Sequence, residues 1–454
     1  MGWKHQVLST LFLTLSAITL SAQTFRTLAS FQGTNGSQPN RVLLQGLDGN
    51  FYGVTASGGN GYGTVYKVTP EGALTTIYTF NDTDGANPYA LIQTASGDWF
   101  GTASQGGQGF GTIFRISSRG AFTTLHVFHS DDGAEPDFLI QGNNGALYGA
   151  TFQGGSGNAC FMGGGTIFTL SPSGTFTTLY NFDSQQGCWP GSLIQTPNGD
   201  FYGTAGAGGD THACNYGCGT VFELASGTVT TLHTFDLTDG ETPQGPLLPG
   251  ADGVFYGTTA GGGLSGAGTV FQVSSAGTMN TVDNFNSAQG SCSGLIEATD
   301  GNFYGVSSQG GTYGDGAIFK LTPAGALTIL YSFNMSGGAG PWSALVQGTD
   351  GNLYGTTYGG GTQGDGTIFR FSVGLDPFVK ILPHVGQPGT AVTILGTNLG
   401  SVTQVTFNGT AAPFTIISPT EITTTVPPGA LTGKIQVVTS GDPLLSDLPF
   451  AVRQ

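Results

Sequence analysis

The chain reads as an all-β protein: a seven-bladed β-propeller closed by an N-terminal strand, followed by a small β-sandwich. Three observations predict this. A sentence of four short apolar phrases is written seven times between residues 24 and 373. The fourth phrase, missing from the last copy, stands alone ahead of the first. After Val373 the repeat grammar stops and a different strand pattern begins.

Composition sets the class. The 454 residues include 80 Gly, while charged residues make up only 8%. The phrases between the glycines are rich in Val, Ile, Thr, Phe and Tyr, so the glycines read as turns between strands rather than as disorder. At the N-terminus, Lys4 and His5 precede an apolar run from Val7 to Leu20, and Ser21-Ala22 offers a small-residue exit. This reads as a signal peptide over 1–22, the rival being a membrane anchor. The run of 14 residues is short of the roughly 20 that span a bilayer, so no membrane span is expected after cleavage. Cleavage removes Lys4 and no acid, leaving 10 Lys+Arg against 27 Asp+Glu, a net charge of −17. Such acidity excludes nucleic acid, whose binding is dominated by phosphate neutralisation. It disfavours anionic membrane surfaces as well.

The first repeated phrase is Leu91-Ile92-Gln93 and its sisters, ending at Gln45, Gln141, Gln195, Glu297 and Gln347. The second carries an aromatic before Gly, at Tyr52, Phe100, Tyr148, Tyr202, Tyr256, Tyr304 and Tyr354, spaced 48, 48, 54, 54, 48 and 50 residues apart. A period of this size marks a propeller or a solenoid. The third, GTIF or a close variant, opens at Gly63, Gly111, Gly165, Gly219, Gly268, Gly316 and Gly366. The fourth, LTTLYxF or a variant, ends at Phe80, Phe128, Phe182, Phe235, Phe285 and Phe333. Turns such as Asp48-Gly49, Asn144-Gly145 and Asp300-Gly301 join the first phrase to the second, and Asn-Gly and Asp-Gly suit two-residue hairpins. Four antiparallel strands, A to D, make one propeller blade.

The ends decide between the two architectures. The seventh copy stops after its third phrase, near Val373, whereas Thr24 to Phe31 (TFRTLASF) matches Ala73 to Phe80 (ALTTIYTF). An N-terminal strand that completes the last blade removes the sheet edges that invite aggregation. A solenoid gives no reason for the displaced phrase. The domains follow: propeller 23–373, linker 374–376, sandwich 377–454.

In a blade the B–C and D–A loops share one face. The B–C loops of the third and fourth repeats are about six residues longer than the rest, and both contain cysteine. Cys214 and Cys218 lie in one, Cys160 in the other, and Cys188 in the next D–A loop. The expected disulfides are Cys214–Cys218 and Cys160–Cys188, with Cys292 left over, as suits an exported protein. A zinc site using Cys214, Cys218 and His212 is the rival, but a second ligand pair is absent. No cofactor is assigned. Calcium stays open because the Asp-Gly runs at Asp82 to Gly85, Asp131 to Gly133 and Asp236 to Gly240 offer oxygen ligands, although turn chemistry accounts for them equally. Candidate ligand-binding residues are loop aromatics of this face: Tyr62, Phe110, Trp189, Tyr216, Tyr313 and Trp342, with Phe161 beside them. The alternative for each is packing between neighbouring loops.

Catalytic motifs fail. Gly261, Gly263 and Gly266 fit GxGxxG, but no helix-forming stretch follows, so no dinucleotide site is read. His126 and His233 lie inside fourth phrases, where they read as packing positions. No catalytic residue is assigned.

Pro377 to Gln454 carries strands at Val392-Thr393-Ile394, Val405-Thr406-Phe407, Ile422 to Val426, Ile435 to Val438 and Phe450-Ala451-Val452. With Pro388-Gly389-Thr390, Gly396-Thr397-Asn398-Leu399, Phe407-Asn408-Gly409, Val426-Pro427 and Thr432-Gly433, this segment resembles the IPT/TIG immunoglobulin-like family. The resemblance implies an immunoglobulin-like sandwich with a spacer or adhesion role. The repeats over about 24–373 resemble the choice-of-anchor tandem repeat GloVer-containing proteins, on DGNFYG at Asp300 to Gly305, the Gly-rich loop and strand ending at Phe369, and LTTIY at Leu74 to Tyr78. That family brings no established activity.

The expectation is an exported or cell-surface binding protein, a monomer, that takes a glycan or protein ligand outside the cytoplasm. A structural envelope component and a secreted carbohydrate-active enzyme are the alternatives, the latter needing convergent carboxylates at the propeller mouth.

Overall fold

The computed structural model describes residues 23–39, 42–156, 160, 163–209, 213–250 and 253–453. The expected signal segment 1–22 lies outside them. The protein is all-β, with no helix long and apolar enough to cross a membrane among the described residues.

The repeats form seven four-stranded antiparallel meanders. In the sixth, Cys292–Glu297, Phe303–Ser307, Ala317–Leu321 and Leu327–Ser332 pair in that order. The seventh takes its outer strand from the other end of the chain. Thr24–Ser30 lies antiparallel to Thr367–Ser372, with Thr24 opposite Ser372 and Ser30 opposite Thr367. This is the displaced fourth phrase in the position the sequence reserves for it.

The same edge-on aromatic contact recurs at every joint between neighbouring sheets. The phenylalanine that ends a D phrase stands edge-on to the aromatic of the following GTIF strand: Phe80 to Phe114 at 5.2 Å, Phe128 to Phe168 at 5.3 Å and Phe182 to Phe222 at 5.1 Å. Phe235 to Phe271, Phe285 to Phe319 and Phe333 to Phe369 continue the series at 5.1, 5.4 and 5.1 Å. Phe31 to Tyr66, at 5.0 Å, joins the seventh sheet to the first. All fourteen rings are fully buried. Such pairs contribute about 0.5–1.5 kcal/mol each beyond the area they bury.

The LIQ glutamines fasten the same joints from inside. The Gln93 carbonyl oxygen accepts the Leu47 N–H of the preceding sheet at 2.8 Å. Gln195 does so with Asn143 at 2.7 Å, and Gln347 with Thr299 at 3.0 Å. Gln45 closes the circle on Thr349 at 3.0 Å.

Two glycine positions are set by close approach. A side chain on Gly101 of the second phrase would come within 2.3 Å of the Phe114 ring, and the same geometry recurs at Gly149 under Phe168. The glycine of GTIF faces a proline of the next sheet, as Gly63 faces Pro88 and Gly366 faces Pro39 across the closure.

Tyr66 stands alone in its series, since its sisters Phe114, Phe168, Phe222, Phe271, Phe319 and Phe369 lack a hydroxyl. Its hydroxyl is buried without a hydrogen-bond partner. An unmatched buried hydroxyl costs about 1–3 kcal/mol. Tyr66→Phe is therefore expected to stabilise the protein by ~1 kcal/mol, read as a higher urea midpoint at unchanged slope.

The C-terminal segment packs two further four-stranded sheets around one core of Val379, Ile381, Ile394, Val405, Phe407, Ile422, Val437 and Phe450. The expected strands appear as Ala391–Leu395, Gln404–Phe407, Glu421–Thr425, Ile435–Val438 and Ala451–Val452. Lys380–Leu382, Thr410–Ala412 and Phe414–Ser418 are strands the sequence reading passed over. This segment rests on the A–B turns of the repeats. The Phe378 N–H donates to the Thr349 carbonyl at 3.1 Å, and Arg453 donates to the Pro197 carbonyl. Thr420 sits against Gly49. Sheets one and seven are neighbours and sheet four lies across the circle, so the segment spans that end of the repeats. A cavity of about 200 Å³ remains between them, lined by Leu44, Leu47, Gln93, Lys380, His384 and Asp447 among others.

Candidate functional site

With one end covered, the open face is the one made by the B–C and D–A loops. Three of its D–A loops are built on an aspartate four residues after the terminal phenylalanine. Asp84, Asp132 and Asp239 each accept a backbone N–H from the start of their own loop, at 3.1, 2.9 and 2.9 Å. The other oxygen of each meets a D-strand ring: Tyr78 at 2.5 Å, His126 at 3.0 Å and His233 at 2.8 Å. The rings in turn stack between sheets, Tyr78 on Phe122 at 3.9 Å and His126 on Phe176 at 3.8 Å. These acids thus have turn and ring duties, and no group of three His, Cys, Asp or Glu side chains among the described residues gathers to hold a metal ion. His212, of the zinc alternative, lies outside the described residues.

Burial holds His126 below its ordinary value of 6.5, and Asp132 offsets part of that effect. The folded chain then refuses a proton that the unfolded chain accepts, so this group stabilises the fold above 6.5 and the contribution fades as pH falls. His126→Tyr, which copies Tyr78 of the sister sheet, is expected to reduce the loss of melting temperature between about pH 7.5 and 5.5. An equal loss in both proteins would remove His126 from the account.

The entry to five of the seven A strands is strained. Gln38, Asn87, Glu135, Trp189 and Thr242 all precede a proline and all take positive φ, between 51° and 61°. Such backbone costs about 1–3 kcal/mol per residue. Its return is a hydrogen bond between sheets: the N–H of Asn87 donates to the Tyr62 carbonyl, Glu135 to Phe110, Trp189 to Gly164, Thr242 to Cys218 and Gln38 to Asp365. The B–C carbonyls of Tyr62 and Phe110 are thereby structural, whatever their rings do.

Of the sequence-predicted site residues, Tyr62, Tyr216, Tyr313 and Trp342 are exposed by 39, 52, 64 and 44%. Phe110 is half-buried and packs on the cluster around Phe128 and Phe168. Trp189 is half-buried as well. It stacks on Phe152 at 5.3 Å and leans toward Tyr216 at 5.8 Å, and its indole N–H is buried without a partner. Trp342 stacks on Tyr358 at 4.9 Å. The structure therefore brings Trp189 and Tyr216 together and leaves Tyr62, Tyr313 and Trp342 on separate repeats. Phe161 lies outside the described residues. Sequence reasoning missed Phe152 and Tyr358, which close the second phrase in their repeats where sisters carry small or polar residues; that exception was the available signal.

Two disulfides fasten the long loops beneath this group. Cys160–Cys188 ties the B–C loop of the third sheet to the A strand of the fourth, and Cys214–Cys218 closes a turn within the fourth sheet's B–C loop. Cys292 is free and buried. It stands where sister sheets have Pro88, Pro136, Pro190 and Pro243, and burial pushes its thiol up to about 12. At neutral pH it is an inert filler.

Comparison with known proteins follows the two-part architecture. No curated protein matches the sequence. Among solved structures the chain is similar to a streptogramin B lyase, at TM-score 0.54 and 13% identity, over 77% of this chain and 97% of that one. It is similar to the extracellular domain of a hybrid two-component system from B. thetaiotaomicron, at TM-score 0.52 and 11% identity, over 96% of this chain but 59% of that one. It also resembles an auxiliary nutrient binding protein from Bacteroides ovatus, at TM-score 0.44 and 11% identity, over 77% and 76% of the two chains. Identities this low speak for the fold alone. Family comparison is more specific: the Gloeobacter/Verrucomicrobia repeat matches 13–160, 110–294 and 284–395, and the IPT/TIG domain matches 378–451. The chain belongs to the Gloeobacter/Verrucomicrobia repeat family and ends in an IPT/TIG domain.

Proposed function

We propose that this is an exported or cell-surface binding protein. Its repeats form a seven-bladed β-propeller over 23–373, closed by the N-terminal strand. An immunoglobulin-like sandwich over 377–454 follows a linker at 374–376 and acts as a spacer. A signal peptide over 1–22 sends it out of the cytoplasm, and the mature chain is a monomer without a membrane span. The reading rests on one observation above all. The IPT/TIG domain occupies the A–B end, while the opposite face carries exposed aromatics, one of them, Tyr216, on a loop closed by a disulfide. Exposed aromatic surface of this kind is a mark of ligand contact. The paired rings Trp189 with Phe152 and Trp342 with Tyr358 offer flat faces for a glycan or for a protein partner.

The test is binding of the purified mature chain to a glycan and polysaccharide array, with calcium and with chelator. Binding that Trp342→Ala weakens supports the assigned face. Loss of binding in chelator adds calcium as a ligand of the D–A loops. Release of shorter sugars would replace the binding reading with an enzyme. A blank array together with no bound protein partner would leave the structural-envelope reading in its place.

A further inference from the structure

We infer that the sector of the open face running from the fourth to the seventh repeat is a docking surface for a basic protein segment that carries apolar side chains. The inference rests on the binding-face reading above and narrows its ligand. Of the large apolar side chains exposed among the described residues of the repeats, all but Ile329 lie in D–A or B–C connections. Six of them, Tyr216, Leu237, Leu264, Tyr313, Met335 and Trp342, fall in this one sector. Neighbouring loops there are tied together, since Gly263 donates to the Leu237 carbonyl and Gly361 to the Met335 carbonyl. Six exposed apolar side chains on four successive repeats, against Tyr62 alone in the connections of the other three among the described residues, favour an interaction site on a protein with only 8% charged residues.

Charge decides what fits it. Between residues 208 and 366 the B–C and D–A connections contain no Lys or Arg in the sequence, yet Asp236, Asp239, Asp315 and Asp365 lie among them, and Arg41, in the connection that follows the seventh repeat's outer strand, bounds the sector. The described cations of the repeats lie toward the other end. Lys67, Arg115, Lys320 and Arg370 occupy the fourth place of their C strands, next to the C–D turn, and Arg26 pairs opposite Arg370. Arg115 and Lys320 are held there by Asp98 and Asp300, at 2.5 and 3.3 Å. The sector is therefore acidic and apolar at once. Acidic polysaccharides and nucleic acids are repelled by such a surface, whereas a cationic amphipathic segment meets both features.

The test uses the full mature chain and two short peptides, one alternating Lys with Leu and one alternating Glu with Leu. Affinity is measured at low and high salt. The Lys/Leu peptide is expected to bind, to weaken about tenfold or more at high salt, and to bind far better than the Glu/Leu peptide. A triple variant, Leu264→Ser with Tyr313→Ser and Trp342→Ser, is expected to lose about tenfold in affinity. A control variant on the IPT/TIG domain, Ile417→Ser with Leu431→Ser and Leu448→Ser, keeps the parent affinity. Equal binding of both peptides, or parent-like binding by the triple variant, overturns the inference. An array glycan that binds the parent but not the triple variant, with no Lys/Leu binding, would overturn it while leaving the binding face intact. Failure of both peptide and array would sink the two readings together.

Discussion

A chain that starts at Gln32, lacking Thr24–Ser30 and Phe31, is expected to fail as a monodisperse folded protein. The loss is much more than one strand pairing. Phe31 is fully buried and belongs to the cluster of Leu43, Phe51, Tyr66, Tyr354 and Ile368 that joins the first sheet to the seventh. Phe25 stacks on Tyr331 at 4.0 Å and lies 5.5 Å from Phe369. Emptying a buried phenylalanine site costs about 3–5 kcal/mol, against a typical total stability of about 5–15 kcal/mol. The strand Thr367–Ser372 would then present an unpaired edge, the usual template for aggregation. Light scattering after size exclusion, with thermal unfolding, checks this. A monodisperse truncated protein with the parent melting temperature would mean that the repeats hold together without closure. Phe31→Ala alone is the milder form and is expected to cost about 3 kcal/mol.

Gly366→Ala is expected to be nearly as damaging, and its neighbour supplies the control. Gly366 has φ of +97°, and a β-carbon there would lie 2.4 Å from the Thr357 carbonyl oxygen and 2.6 Å from the Pro39 ring. Neither backbone nor proline can step aside without opening the joint between the last sheet and the first. Gly364, two residues earlier, has φ of +84° and open space around the same position. Both substitutions carry the backbone cost of a left-handed alanine, about 1 kcal/mol. Only Gly366→Ala adds the collision, for a total of about 3 kcal/mol or more. Denaturant unfolding of the pair separates the two causes. Equal destabilisation would show that the Pro39 contact yields freely.

The repeated phrases were legible because each strand restates its neighbour's pattern, so seven weak signals reinforce one another. The displaced TFRTLASF phrase even specified a contact between residues more than three hundred positions apart. The Cys160–Cys188 pairing was readable for a related reason: repeat register places both loops on one face. What escaped the reading is set by contacts between unlike segments. Gln38, Asn87, Glu135, Trp189 and Thr242 share a backbone conformation and no chemistry, so nothing in their side chains announces it. Phe110 and Tyr62 occupy the same place in the repeat, yet one is half-buried and the other exposed. The seat of the IPT/TIG domain on Gly49, Pro197 and Thr349 has no periodic signature at all. Within the candidate site, the separate aromatics were visible, but the stacking partners Phe152 and Tyr358 needed the fold to bring them close.

The pairing of Thr24 with Ser372 also fixes how the molecule bears tension. The chain enters the ring at Thr24 and leaves it toward the IPT/TIG domain just beyond Ser372, so a pull between those two points acts on the same end of one strand pair. It separates the strands as a zipper opens, loading one rung of hydrogen bonds at a time. The other six sheets carry none of that load until the pair has parted. Under traction between a tethered start and an anchored IPT/TIG domain, the closure would yield first and bare the edge of Thr367–Ser372 before any other sheet is loaded.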